Sequence, residues 1–526
     1  MIVHRRQFVI GPAPLRPSDD WKQLLLDPEG RLHLSHCPDL PMVRVPAAAG
    51  EVSDRLLLGD VVAMGEHDPA PGRSLAEGAT VDDVVEASRT WAGRWVLVLD
   101  GVVHLDACGG LSCLHRWAEA GPGGRAGVWV SSSPALLLDA RLGGGPHQRA
   151  PLENFAEGFY YHPSPHTVHA AVKRLLPSQL LNLRADASGQ ALRPRPLPGA
   201  RHASGFQGPD ALLDRACALL AGGAAAVAQQ WPRPWLPLTA GMDSRVVLAA
   251  AYGGGVQDVV AYTQGYAWPR LSRGDRRLPP RLAATLGYEH RFIPRAQLDP
   301  DRLAQVDRHT GNSLNDFDAD RQFLARGQWD GIPEGAAVLR GSIFEAGKAY
   351  YDKYLEPDHG GDPAAALCDA WRLKAYTAAT NRQVEAVEAW AAWMLDDPHD
   401  NGLDWRDRFY VEQVCGAWTS AVEQELDLTG THRIPLANCH ALLSTLFALP
   451  REWQVDGRWS HEVVRRLAPA IADVPANPND PPLQRIAWHA HEEGRMLYQA
   501  RNRPAYVRQR SRQMLHRLRT TGRLTT

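Results

Sequence analysis

The sequence predicts a mixed α/β chain in two parts: a β-rich first part, then a parallel α/β part whose C-terminal portion is helical. Over roughly the first 190 residues, short β-branched and aromatic runs alternate with turn residues. Beyond Asp210, strand-like runs alternate with helical ones, the pattern of a parallel sheet covered on both faces. Between the two lies RPRPLPGARHASGFQGP (193–209), rich in Pro and Gly and without periodicity, which reads as a linker. The expected domains are therefore 1–195 and 208–526.

The elements follow in order. WVLVLDGVVHLDA (95–107) reads as two strands about an Asp100-Gly101 hairpin turn. VWVSSSPALLL (128–138) reads as a strand, a Ser-rich turn and a short helix, and AVKRLLPSQLLNLR (171–184) as a turn-broken strand pair. Asp210 can cap a helix running to Gln230, with Leu212, Leu213, Ala216, Leu219 and Leu220 on its apolar face. WLPL (235–238), DVVAYT (258–263), HRFIP (290–294) and AAVLRG (336–341) then read as strands. RVVLAAAY (245–252) and PPRLAATLG (279–287) are the helices between them. After Gly341 the text is mostly helical and rich in Trp.

Composition narrows the function classes. Of 526 residues, 57 are Lys or Arg and 59 Asp or Glu, a net charge of −2. That balance supplies no long-range field for nucleic acid or an anionic membrane, and argues against both as partners. No apolar run approaches the ~18 residues of a membrane span, and the N-terminal apolar stretch is too short for a signal-peptide core. Seven scattered cysteines without a CxxC pair indicate neither a disulfide framework nor a four-cysteine zinc site. The expectation is a soluble, reduced, cytoplasmic protein.

The informative segment is LPLTAGMDSRVVLAAA (236–251), a strand that enters a turn of small residues and then at once a helix. Such a turn aims unpaired N–H groups and the positive end of a helix dipole at one point, a place that favours an anion. Gly241 permits close approach, and the Thr239 and Ser244 hydroxyls can donate to phosphate oxygens. A carboxylate there, Asp243, makes sense if it binds a Mg²⁺ bridging to the phosphates. The plainer reading is a capped strand–helix turn with Asp243 as its N-cap. No Walker A loop, GxSxG elbow or dinucleotide fingerprint occurs.

The run Leu238, Thr239, Ala240, Gly241, Met242, Asp243, Ser244, Arg245 resembles the pyrophosphate-binding loop of the asparagine-synthetase-like family, usually Ser-Gly-Gly-x-Asp-Ser. The segment 258–263, ending at Thr263, resembles that family's second strand and adenine-side wall. Asp275, Leu282-Ala283 and Leu286-Gly287 resemble its Asp-containing helix. Residues 339–345, with Gly341 and with Glu345 where an Asp is usual, resemble its second phosphate and metal segment. Arg433 to Leu436 and Leu449-Pro450 resemble a late segment, and 93–98 and 131–136 the strands of its N-terminal-nucleophile (Ntn) glutaminase domain.

The resemblance implies an Ntn-hydrolase-like sandwich followed by a PP-loop synthetase domain that uses ATP and Mg²⁺, with Asp243 and Glu345 sharing the metal. The implied activity is AMP-forming amide ligation, adenylating a carboxylate for attack by an amine. The glutaminase needs a cysteine directly after the initiator Met. Here residue 2 is Ile2 and the nearest cysteine is Cys37, so the fold is expected without that chemistry. With no internal ammonia, the amine belongs to the substrate or to a second one. β-Lactam and lasso-peptide macrolactam synthetases are relatives of this kind, which implies a small-molecule or peptide substrate and a precursor peptide or biosynthetic partner protein. A non-catalytic scaffold and a tRNA-modifying PP-loop enzyme are the alternatives.

Two departures bear on the amine step. Thr431 stands where the family often has Glu, and His461 where it often has Lys, which makes Arg433 and His461 the stand-in candidates. Elsewhere, His33, His36 and Cys37, or His489, His491 and Glu492, match no established metal spacing. Trp390, Trp393, Trp405 and Trp418 read as core before channel lining. The Arg-rich tail 501–526 reads as a solvated basic helix, with docking of an acidic peptide, a partner or a nucleic acid as the other option.

Overall fold

The computed structural model describes residues 4–44, 55–65, 79–118, 126–138, 162–185, 191–265, 273–294, 296–311, 324–327, 329–371 and 381–478. Its first part holds twelve strands among those residues. They are β1 (Phe8–Gly11), β2 (Lys22–Leu25), β3 (His33–His36), β4 (Met42–Arg44), β5 (Leu56–Ala63) and β6 (Trp91–Leu99), followed by β7 (Val102–Leu105), β8 (Leu114–Ala118), β9 (Gly127–Ser131), β10 (Lys173–Arg174), β11 (Gln179–Asn182) and β12 (Leu192–Pro194). They form two six-stranded antiparallel sheets, ordered β10-β8-β9-β1-β3-β2 and β12-β11-β7-β6-β5-β4.

Period-two alternation joins these sheets face to face. Phe8, Ile10, Leu34 and Val130 from one sheet share a core with Leu56, Leu58, Val96 and Val98 from the other. The intervening Val9 faces outward on its sheet, and Leu57 and Leu97 on theirs, each into a separate apolar layer. The expected hairpin is present: Leu99 pairs with Val102 across Asp100 and Gly101, both at positive φ. The expected 171–184 pair is not. β10 joins β8 in one sheet and β11 joins β7 in the other, because the chain crosses the sandwich at Leu175-Leu176 and the Pro177-Ser178 turn, which Gln179 N–H closes onto Leu176 O.

The stretch read as a linker is partly ordered. β12 pairs with β11, and Leu197 and Ala203 are buried. The helix Gly208–Gln230 follows, its N-cap being Gln207 rather than Asp210, which lies in the first turn. By length and composition this helix could cross a membrane, but its Leu212, Leu213, Leu220 and Val227 are buried in the core.

The second part is built on a parallel sheet of β13 (Trp235–Pro237), β14 (Val260–Gly265), β15 (Glu289–Pro294), β16 (Ala337–Arg340) and β17 (His432–Pro435), ordered β15-β14-β13-β16-β17. Alternate residues bury both faces. Leu236, Ala261, Leu339 and Ile434 pack with helices Gly208–Gln230, Met242–Gly253 and Arg458–Leu467. Trp235, Val260, Tyr262 and Val338 pack with Val306, Val422 and Leu426 on the other face. Sequence reading found four of these strands. The fifth, β17, is four residues long with His432, Arg433 and Pro435 in it, so apolar pattern did not mark it. The strand order reverses between β13 and β16, and at such a switch point the crevice outside the carboxyl ends of the strands is the open α/β sheet's ligand site.

Candidate functional site

The crevice is bordered by the turns that leave β13 and β16. After β13 the chain makes the Leu238–Gly241 turn and starts the helix Met242–Gly253, with Gly241 as N-cap and no side-chain cap. The N-cap reading of Asp243 is thereby corrected: it lies inside the first turn, so its carboxylate is not spent on capping. After β16, Gly341 presses against that turn. A Cβ on it would stand 3.3 Å from the Ser244 nitrogen, tighter than ordinary contact.

The turn is held by its own hydrogen bonds. Thr239 N–H donates to Ser244 Oγ (3.1 Å), Gly241 N–H to Thr239 Oγ1 (3.1 Å), and Ala240 N–H to Asp275 Oδ1 (2.7 Å). The two hydroxyls expected to face phosphate also touch each other, with Thr239 Oγ1 3.1 Å from Ser244 Oγ. The turn is therefore set without a ligand. Thr263 is buried: its hydroxyl donates to Leu238 O (2.7 Å), so it accepts from His290 Nε2 at 2.9 Å. Burial holds His290 neutral, its pKa lowered to about 4. Leu238 is fixed from both sides, since its N–H also donates to Tyr262 O.

Arg245 does not present its charge at the turn. It is fully buried, and its guanidinium donates to the carbonyls of Ala240, Val474 and Pro475. Asn477 N–H adds a bond to Ala240 O at 3.0 Å. Arg245 thus ties the 474–477 segment down onto the turn.

Asp243 is ion-paired with Lys348, the two side chains 26% and 23% exposed. Lys348 ends a short 3₁₀ stretch, Phe344–Lys348, that also carries Glu345. Residues i and i+3 eclipse in such a helix, so Glu345 and Lys348 project from one face. Glu345 is exposed and accepts a hydrogen bond from the Tyr410 hydroxyl at 3.1 Å. Tyr410 opens the ten-residue π-helix Tyr410–Thr419, a form that recurs at functional sites. The segment bearing Glu345 thus reaches Asp243 through Lys348. Sequence reading missed Lys348 and Tyr410; the i+3 spacing from Glu345 was the available signal for the first, and nothing local marked the second.

The expected stand-ins for the amine step are not brought together. His461 is exposed on the helix Arg458–Leu467, its pKa lowered by burial and by the charges of Arg245 and Arg465. Arg433 lies on the other face of the sheet, fully buried. It donates to Glu423 Oε2 (2.8 Å), Glu423 O (2.7 Å) and Leu426 O (2.8 Å), and pairs with Asp427. A guanidinium so occupied has no donor left for a reactant, and the reading of Arg433 as catalytic is corrected to a structural one. Thr431 is buried beside it, 3.2 Å from Arg433 Nη1.

Around Arg433 a charge network joins the two parts of the chain. Asp427 pairs with Arg94 (3.0 Å) and Asp60 with Arg6 (2.5 Å), while Glu423 also holds Arg340 (2.8 Å). Burial works against ionisation of Asp60, Glu423 and Asp427. The arginines around them outweigh it and hold all three below the usual carboxylate range. Asp60 and Arg94 face each other across β5 and β6, each preceded by a glycine at positive φ, Gly59 and Gly93. A Cβ at either glycine would lie within 2.2 Å of a facing backbone oxygen, so this close approach needs glycine.

The chain is of the mixed α/β class, a parallel sheet with a switch-point crevice joined to an antiparallel sandwich. No protein-family model and no curated protein matches it. Among the described residues no three His, Cys, Asp or Glu converge as a metal site. His33, His36 and Cys37 are buried or half-buried on or next to β3, with the Cys37 thiol pushed up by burial. The His489 cluster and the Arg-rich tail lie outside the described residues. Trp390 is core, its indole N–H donating to Glu412 at 2.7 Å, and Trp393 packs against that core.

Chemically, the crevice offers a polar turn at a helix N-terminus and two solvent-reachable carboxylates. One of these, Asp243, already carries a cationic partner in Lys348; oxygen donors beside helix N–H groups are the donor types that a hard cation and an anion take.

Proposed function

We propose that this chain is an ATP- and Mg²⁺-dependent, AMP-forming amide ligase of the asparagine-synthetase-like type, without glutaminase activity. In this reading the first part is an Ntn-like sandwich and the second a PP-loop domain. The observation that carries it is the meeting of the 238–245 turn and the Gly341 turn at one switch-point crevice, with the Asp243 carboxylate paired to a cation.

Asp243 and Glu345 would hold the metal, which neutralises polyphosphate charge when bound. The preset turn and the first helical N–H groups would receive the leaving pyrophosphate, and Gly341 leaves room for it beside Ser244. The crevice holds carboxylate and nucleotide together, which supplies proximity. The carboxylate belongs to a small molecule or peptide, and the amine to the same molecule or to a second substrate.

The self-satisfied turn and the Lys348–Asp243 pair favour one rival, a scaffold that keeps the architecture without turnover. Incubation with ATP, Mg²⁺ and candidate carboxylates separates the two. The ligase yields AMP and pyrophosphate in equal amounts and loses both in Asp243→Ala. Absence of ATP-induced thermal stabilisation, or full turnover in that variant, refutes the ligase.

A further inference from the structure

The cation on Asp243 is supplied by a residue whose backbone is unusually well fixed. Ile343 and Ala349 bracket the 3₁₀ stretch at φ +79° and +48°, left-handed conformations that non-glycine residues hold only under constraint. Trp459 donates its indole N–H to Gly347 O at 2.9 Å, and a Cβ on Gly347 would lie 2.9 Å from Leu446. The stretch is pinned on both sides, and what can move is the four-carbon lysine stem. Neighbouring cations lack that freedom. Arg245 is tied to three carbonyls, Arg340 to Glu423 and Arg433 to Glu423 and Asp427.

We propose that Lys348 is a catalytic lysine of this site, which exchanges partners: its ammonium holds Asp243 in the nucleotide-free chain and passes to the phosphates when a metal–nucleotide complex takes that carboxylate. The proposal rests on the ligase reading above. An ammonium and a divalent cation compete for the same carboxylate oxygens, and only the metal brings phosphate oxygens with it. The displaced ammonium is a compact charge with three donors, suited to a phosphate partner. In the transfer, a substrate carboxylate oxygen forms the bond to the α-phosphorus as the bond from that phosphorus to the bridging oxygen breaks. The electron pair leaves on pyrophosphate, and Lys348 donates a hydrogen bond to the growing negative charge without giving up its proton.

Two binding probes test this without turnover: Mn²⁺ alone, followed by its electron paramagnetic resonance, and Mg²⁺ with α,β-methylene-ATP, followed by calorimetry. In Lys348→Ala the freed carboxylate should bind Mn²⁺ about fivefold tighter, while the analogue should bind about tenfold weaker or worse. Lys348→Arg should recover analogue affinity to within about threefold. Lys348→Gln replaces the alanine variant if that one does not fold. A lysine that only braces the turn would move neither probe. A change in one probe without the other also overturns the exchange. A wild-type chain that fails to bind the analogue overturns the ligase reading and this proposal together. Wild-type binding with both probes unmoved in Lys348→Ala overturns this proposal alone.

Discussion

Two groups of charge in this molecule use the same chemistry to opposite ends. Between its two parts, Asp60, Glu423 and Asp427 are buried and enclosed by Arg6, Arg94, Arg340 and Arg433. At the crevice, Asp243 and Glu345 keep solvent contact, the first paired with Lys348 and the second accepting from the Tyr410 hydroxyl. Buried ions must find partners within the protein, because an unpaired one costs several kcal/mol. Half-exposed ions retain water as an alternative and can change partners cheaply. Saturation marks the first group as architecture, and retained solvent contact marks the second as the candidate site.

Mutation should separate the two sharply. Arg433→Ala leaves Glu423 and Asp427 short of a partner and should cost about 3–5 kcal/mol of stability in urea unfolding. Asp243→Ala should lower AMP formation by roughly a hundredfold or more, with stability changed by less than about 1 kcal/mol. If Asp243→Ala proved the more destabilising of the two, the contrast between the regions would be lost.

Acid sharpens the same contrast. Buried His309, its pKa lowered to about 4 by burial, stays neutral in the fold while its unfolded counterpart protonates near 6.5. Its contribution is complete above about pH 6.5 and is lost as pH falls toward 4. The depressed Asp60, Glu423 and Asp427 contribute above the unfolded carboxylate range, near pH 4, and that contribution is lost below it. Melting temperature should therefore fall in two stages on acidification. Arg433→Ala should flatten the lower stage, and Asp243→Asn should leave both in place.

The smallest expected effect comes from a buried carboxyl outside both groups. Burial pushes Glu425 up to about 8, while its Oε1 accepts from Leu324 N–H at 2.8 Å. The unfolded carboxyl ionises at about pH 4.3, so keeping the proton in the fold costs stability progressively as pH rises from there to about 8. Glu425→Gln keeps the acceptor without the charge, and should raise the melting temperature by a few degrees at pH 9 and by less at pH 6, measured against its effect at pH 4.

Much of the fold was legible because it depends on local pattern. The Asp100-Gly101 hairpin, the β13–turn–helix unit and the alternation of strands and helices each leave a signature within a dozen residues. The same holds for the crevice's first wall, residues 238–244. Less visible was anything set by partners distant in sequence. Arg433 reads as a reactive cation in isolation, and only Glu423 and Asp427 reveal it as enclosed. Lys348 carries no motif, and its meaning comes from Asp243, 105 residues away. Arg245 looked like a phosphate ligand until the 474–475 carbonyls accounted for it.

Periodicity and turn chemistry act between near neighbours, so the residue order alone determined which segments became strands, helices and tight bends. Which charge became buried mortar and which stayed available to a ligand was decided by burial, and burial exists only once remote segments have packed.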